Sequence, residues 1–235
     1  MSDPASLPTL SLAHLTRPPR ATTSGKPPLL VLLHGVGSNE RDLFSFANLL
    51  DPRFRVISLR APLVRGPQSF AWFDVQFLPN GFAINADHLR ASRDQIAQVI
   101  DEAVAAYDAD GERVYLVGFS QGAIMSFATA LSQPALVAGI APLSGRIPPE
   151  VRPWIAPHHE LAGLPILLVH GRSDTVIPLS FAHDARQLLQ TLPVALTYRE
   201  YEMAHEIGPD AFRELLTWLT ARLDGPRRLS APANA

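Results

Sequence analysis

The sequence predicts an α/β protein with a mainly parallel central sheet covered by helices on both faces. Two observations carry this. Short continuous apolar runs alternate with helix-spaced segments along the whole chain, which is the pattern of strands joined by crossover helices. The chain is also long enough, at 235 residues with 47% hydrophobic content, to bury the core of one large domain. No internal repeat and no second domain is visible. The expected layout is an edge strand and linker over residues 1–28, one α/β domain over 29–223 and a loose tail over 224–235.

The elements follow in order. Residues 9–15 alternate apolar and polar and read as an edge strand, with a Pro/Gly/Ser linker behind them. Residues 29–33 are a continuous apolar run bounded by Pro and Gly, the mark of a buried strand. A helix is expected over about 40–50 and a strand over 55–59. Residues 60–86 read as a long connection rich in aromatics, with Phe70, Trp72, Phe73, Phe77 and Phe82. Asp87 is the expected cap of a helix running to about residue 107, since Leu89, Ile96, Val99, Ile100 and Ala103 keep helical spacing. Further strands are expected at 114–117, 138–143, 164–170 and 195–200. Helices are expected at 123–131, at 178–190 and from Pro209 onward.

Bulk properties exclude several function classes. A net charge of -2 gives no reason to invoke nucleic acid or an anionic membrane surface. The absence of cysteine removes a thiolate nucleophile, disulfides and thiolate metal sites. The first residues, Met-Ser-Asp-Pro-Ala, lack the basic and apolar regions of a signal peptide, and no apolar run approaches the roughly 18 residues of a membrane span. The resulting expectation is a cytoplasmic protein without stable membrane association.

The segment Gly118-Phe119-Ser120-Gln121-Gly122 lies between an apolar strand and a helix-like stretch. Strand, G-x-S-x-G, helix is the layout of a nucleophile elbow, in which a tight turn lifts the serine hydroxyl above the sheet. A serine hydroxyl needs a base, and the base needs an acid to orient it. With such an elbow, acid and then base follow the serine in the chain. Asp174, after the strand at 164–170, is the candidate acid, although a Gly turn followed by Asp is also a routine helix cap. Asp184 is its rival but falls in a helix. Only His183 and His205 follow Asp174, and His205 stands in the loop between the last strand and the last helix.

A developing oxyanion needs two backbone donors. The candidates are the N–H of Gln121, directly after the serine, and that of Val36 in the turn His34-Gly35-Val36-Gly37-Ser38. His34 reads as structural. Trp72 and Phe73 are candidate walls of an acyl pocket, with anchoring of their loop as the alternative. His158-His159-Glu160 reads as a solvated loop rather than a metal site.

Taken together, Leu33-His34-Gly35-Val36-Gly37-Ser38-Asn39, the Ser120 elbow, Gly171-Arg172-Ser173-Asp174 with Val176 and Pro178, and Ala204-His205 resemble the phospholipase/carboxylesterase family of α/β-hydrolases. This is the group of acyl-protein thioesterases and many bacterial esterases, and the resemblance covers about residues 29–223. It implies an α/β-hydrolase fold without a large cap, a Ser120–His205–Asp174 triad, and oxyanion donors at Val36 and Gln121. It also implies hydrolysis of short- to medium-chain carboxylic esters without metal or cofactor, by a monomer or homodimer acting on a small-molecule ester. Ala123 stands where many thioesterase relatives carry a third glycine, and the Trp72-Phe73 loop is closer to the bacterial esterase branch. Thioesterase and lysophospholipase activities are the neighbouring alternatives. A non-catalytic binding protein on a hydrolase scaffold is the alternative from another class.

Overall fold

The computed structural model describes residues 8–22, 24–78 and 81–225, without the side chains of residues 77, 78, 81 and 82. Seven strands form one sheet in the order β1-β3-β2-β8-β9-β10-β11. They are β1 (His14–Arg17), β2 (Pro28–Leu33), β3 (Arg55–Leu59), β8 (Asp110–Phe119), β9 (Gly139–Leu143), β10 (Pro165–Gly171) and β11 (Ala195–Tyr201). Only β1 runs antiparallel, against β3 at the sheet edge. The expected strand at 9–15 is therefore an edge strand, but it pairs further along the chain. Leu10 and Leu12 instead pack into the core ahead of it.

Each central strand is buried on both faces, which is why it reads as an unbroken apolar run. In β2 the alternation of the pleat sends Leu29, Val31 and Leu33 into one core and Leu30 and Leu32 into the other. The first core is closed by α2 (Ala86–Ala106), α3 (Gln121–Ser132) and α5 (Leu179–Gln190). The second is closed by α1 (Arg41–Phe44) and α6 (Pro209–Asp224), through Leu43, Leu215, Trp218 and Leu219. Complete burial of a leucine is worth about 1.5–3 kcal/mol, so the two cores carry most of the favourable free energy of folding.

Three expectations are corrected. The helix at 40–50 shrinks to α1, and the chain continues in i→i−3 bonds, such as Phe46 N–H to Leu43 O and Ala47 N–H to Phe44 O. Tightened turns still bury Leu43, Ala47 and Leu50, so the apolar spacing did not require a full α-helix. The cap of α2 is Asn85, whose Oδ1 accepts from the N–H groups of Asp87 and His88. Asp87 sits in the first turn instead, where the helix dipole favours its charge. The long connection at 60–86 is two small hairpins. One is β4 (Leu63–Gly66) with β5 (Ser69–Ala71), the other β6 (Val75–Leu78) with β7 (Gly81–Ile84). His158 to Leu161 form a four-residue helix, α4, with both histidines exposed. No group of three metal-ligating side chains occurs among the described residues. Among the same residues no helix is long and apolar enough to cross a membrane.

Strand order turns the fold into a site. From β2 the chain steps to β3 on one side, then returns to β8 on the other. Loops leaving the carboxyl ends of β2 and β8 diverge there and open a crevice.

Candidate active site

Ser120 leaves β8 with φ 54° and ψ -115°, outside the relaxed regions for a side-chain-bearing residue. Lack of space enforces this. A Cβ on Gly118 would lie 2.2 Å from Gly122 O, and one on Gly122 would lie 2.0 Å from Leu33 O. Glycine at both positions lets α3 start against β2 and leaves Ser120 at the crest of the turn. Strain of this kind persists because surrounding packing over-determines it. Ser120 N–H is also fixed, donating to Leu143 O at 3.0 Å.

His205 and Asp174 reach Ser120 from neighbouring strand ends. Ser120 Oγ lies 2.9 Å from His205 Nε2, and His205 Nδ1 lies 2.7 Å from Asp174 Oδ2. A carboxylate only accepts, so Nδ1 carries the proton and Nε2 is left to accept from the serine. Asp174 is buried and its Oδ1 accepts from the N–H groups of Val176 at 2.9 Å and Ile177 at 2.8 Å. The two loops touch through backbone. A Cβ on Gly171 would lie 2.3 Å from Met203 O, so the glycine ending β10 lets the His205 loop close over Asp174. The rejected candidates lie elsewhere: Asp184 and His183 are exposed on α5, with His183 bonded to Glu200.

The turn after β2 brings Val36 to the same crevice. It is tied down by Gly37 N–H donating to Phe70 O at 2.8 Å and Phe70 N–H donating to Ser38 O at 2.9 Å. Gln121 opens α3, where the first N–H groups have no acceptor within the helix. His34 is fully buried. Its Nδ1 lies 2.7 Å from Gly35 O and its Nε2 accepts from Ala61 N–H at 3.1 Å. Burial lowers its pKa, with the Gly35 hydrogen bond acting the other way. This is a structural histidine.

A cavity of about 420 Å³ opens beside Ser120. Phe73 lines it with Val75, Ile84 and Ile124, and Val36 and Val176 stand at its wall with more than half their surface exposed. Trp72 does not line it. The indole is fully buried, and its Nε1–H donates to His34 O at 2.9 Å. Thus Trp72 anchors the segment, and only Phe73 of the expected pair faces the cavity.

Three side chains of the site had no legible signal in the sequence. Gln121 clamps the Trp72-Phe73 segment, accepting from Trp72 N–H at 2.6 Å and donating to Phe73 O at 2.8 Å. His170, fully buried on β10, lies 2.7 Å through Nε2 from Ile177 O and 3.4 Å from Asp174 Oδ2. It steadies the loop that holds the acid, and burial lowers its pKa. Arg146 forms part of the cavity wall. A glutamine after a serine, a histidine ending a strand and an arginine in a loop carry no pattern of their own.

With this geometry in view, the similarities are informative. The profile described as Phospholipase/Carboxylesterase matches residues 21–223. The chain belongs to the phospholipase/carboxylesterase family. It is an α/β-hydrolase and an enzyme of the serine hydrolase class. It is 28% identical over 214 residues to acyl-protein thioesterase 1 of Mycosarcoma maydis, covering 81% of this chain and 89% of that one. It is likewise 28% identical over 234 residues to a probable carboxylesterase of Oryza sativa subsp. japonica, covering 90% and 84%. Among solved structures, esterase PE8 superposes with a TM-score of 0.75 at 25% identity, covering 90% of this chain and 99% of that one. A Bacillus cereus carboxylesterase superposes at 0.76 with 20% identity, covering 90% and 95%, which speaks to fold alone.

Proposed function

We propose that this phospholipase/carboxylesterase family member hydrolyses short- to medium-chain carboxylic esters through an acyl-enzyme on Ser120. The observation that carries this is the hydrogen-bonded line Ser120–His205–Asp174, at 2.9 and 2.7 Å, opening on a largely apolar cavity of about 420 Å³. Cavities of this size suit small ligands. Residues 29–223 make up the proposed catalytic unit, with β1 (His14–Arg17) ahead of them supplying the edge of its sheet.

In the proposed mechanism Ser120 Oγ attacks the ester carbonyl as its proton passes to His205 Nε2. Asp174 keeps the proton of Nδ1 in place and stabilises the imidazolium that forms. The tetrahedral oxyanion accepts from the N–H groups of Gln121 and Val36, which are preorganised by the start of α3 and by the tether to Phe70. His205 then protonates the leaving alkoxide, and the alcohol departs. Water, giving its proton to the same Nε2, attacks the acyl-enzyme, and as this second tetrahedral intermediate collapses His205 returns the proton to Ser120 Oγ and the acid is released. Every proton is accounted for without a metal or cofactor.

Hydrolysis of a p-nitrophenyl ester series from acetate to palmitate tests the reading. We expect an optimum at short or medium chains and a fall of at least about a thousandfold in kcat for Ser120→Ala. Wild-type-like turnover in that variant sinks the mechanism. A second reading, thioester hydrolysis, is favoured by relatives named acyl-protein thioesterase. It uses the same residues, and matched oxygen and sulfur esters of one acyl chain separate the two.

A further inference from the structure

Two hydrogen bonds hold His205, one from Nδ1 to Asp174 and one between Nε2 and Ser120 Oγ, at 2.7 and 2.9 Å. Both act on edge atoms of the imidazole. They fix the ring along the line of the three residues, but a tilt about that line changes either bond little. A third contact acts on the ring itself. Phe119, the last residue of β8 and the chain neighbour of Ser120, has its ring centroid 4.9 Å from that of His205, with the planes 41° apart.

The pleat explains the placement. Tyr115, Val117 and Phe119 alternate along β8 onto the face of the second core. The loop that carries His205 runs from β11 into α6, which closes that core, so it crosses the same face. The turn after β2 braces the phenyl ring as well. A Cβ on Gly35 would lie 3.3 Å from Phe119 Cδ1 and 3.3 Å from Ser120 Cβ, so one backbone segment packs on both residues. The phenyl ring therefore has little freedom, and the imidazole takes its tilt from it.

We propose that Phe119 is a positioning residue for the reaction, whose ring sets the tilt of His205 and stabilises the imidazolium formed each time Ser120 or water gives up its proton. This rests on Ser120 and His205 being the reacting pair. An aromatic face carries partial negative charge, and a cation within about 6 Å of the centroid is attracted to it. Neutral imidazole gains less from the ring than imidazolium does, so the contact strengthens as the proton moves. An interaction stronger in the transition state than in the ground state raises kcat. Imidazolium forms in both acylation and deacylation, so the gain does not depend on which step limits the rate. Phe119 does not line the cavity, so substrate binding should not sense it.

Ring electronics test this, because fluorination drains the negative face of a phenyl ring while nearly keeping its shape. Mono-, di- and trifluorophenylalanine replace Phe119 in turn, with Phe119→Leu and Ser120→Ala alongside, and hydrolysis of p-nitrophenyl butyrate is measured. We expect kcat to fall stepwise with the number of fluorines, by about fivefold at the trifluoro ring, with KM within about twofold of wild type. Phe119→Leu, which removes the ring, should lose about tenfold in kcat. A ring that only fills space would give one kcat throughout the fluorinated series. A fall of less than about twofold at the trifluoro ring therefore overturns the proposal, whether or not Phe119→Leu folds. A rise in KM without the stepwise fall in kcat overturns it too, by making Phe119 part of substrate binding. Turnover that survives Ser120→Ala defeats the underlying mechanism, whereas Ser120-dependent turnover that ignores the series removes the role of Phe119 alone.

Discussion

Around Ser120 the backbone is fixed by lack of space, whereas the wall that carries Phe73 is fixed by hydrogen bonds. At the elbow, Gly118 and Gly122 admit no side chain, because backbone oxygens of the turn and of β2 occupy the positions where a Cβ would sit. Across the crevice the Trp72-Phe73 segment has ordinary side chains and ordinary room. It is held by Gln121 on both its Trp72 N–H and Phe73 O, by Ser92 Oγ donating to Trp72 O, and by the Trp72 indole on His34 O. Steric exclusion is all-or-none and leaves a trace in residue type. A hydrogen-bond clamp is graded and can be assembled from residues far apart in the chain, so it leaves none.

This contrast predicts a ranking of effects. Gly122→Ala puts a methyl group on Leu33 O and should cost about 3 kcal/mol, lowering Tm by about 10 °C. Differential scanning calorimetry checks it, and a near-wild-type Tm would mean that the elbow relaxes where close packing says it cannot. Gln121→Met keeps the side-chain volume but leaves Trp72 N–H and Phe73 O without the clamp, at about 2 kcal/mol. Because the loosened wall belongs to the cavity, KM should rise more than kcat falls. Steady-state kinetics on a butyrate ester reads that split. Trp72→Phe should cost somewhat less, about 1–2 kcal/mol, and leave acyl-chain preference unchanged, since the indole is not part of the cavity wall. A shifted preference would show that anchor and wall are not separable.

The smallest expected effect concerns pH. His34 and His170 are both buried with pKa values lowered by desolvation from 6.5. Protons therefore bind more readily to the unfolded chain, and the stability present above about pH 6.5 is lost as pH falls through the lowered values. Tm should decline by a few degrees on acidification through this window. Replacing His170 by Gln should flatten the decline, and an unchanged slope would remove His170 from the account.

The legibility of the site follows the same division. Ser120, Asp174 and His205 could be placed from the sequence because each sits at a strand's carboxyl end in a fixed chain order, and the strands themselves are unbroken apolar runs. Val36 was legible because the turn that holds it is marked by glycines. Pairing Trp72 with Phe73 as cavity walls went half astray, because adjacent residues on an extended segment point to opposite sides. Sequence alone does not say which side is the cavity. The helix expected at 40–50 failed for a related reason: tightened turns bury Leu43, Ala47 and Leu50 just as an α-helix would.

By itself the sequence determined the layering of the fold, the elbow and the order of the three residues around it. Those depend on local periodicity, on the steric uniqueness of glycine and on chain direction, all of which are properties of neighbours in sequence. Only the tertiary structure decided that Gln121 would clamp a segment about fifty residues away, that His170 would steady the loop of Asp174, and that Arg146 would be buried beside Ser120. Such contacts arise where the ends of β2, β8, β9 and β10 converge, and convergence of distant strands is set by sheet order rather than by any short stretch of residues.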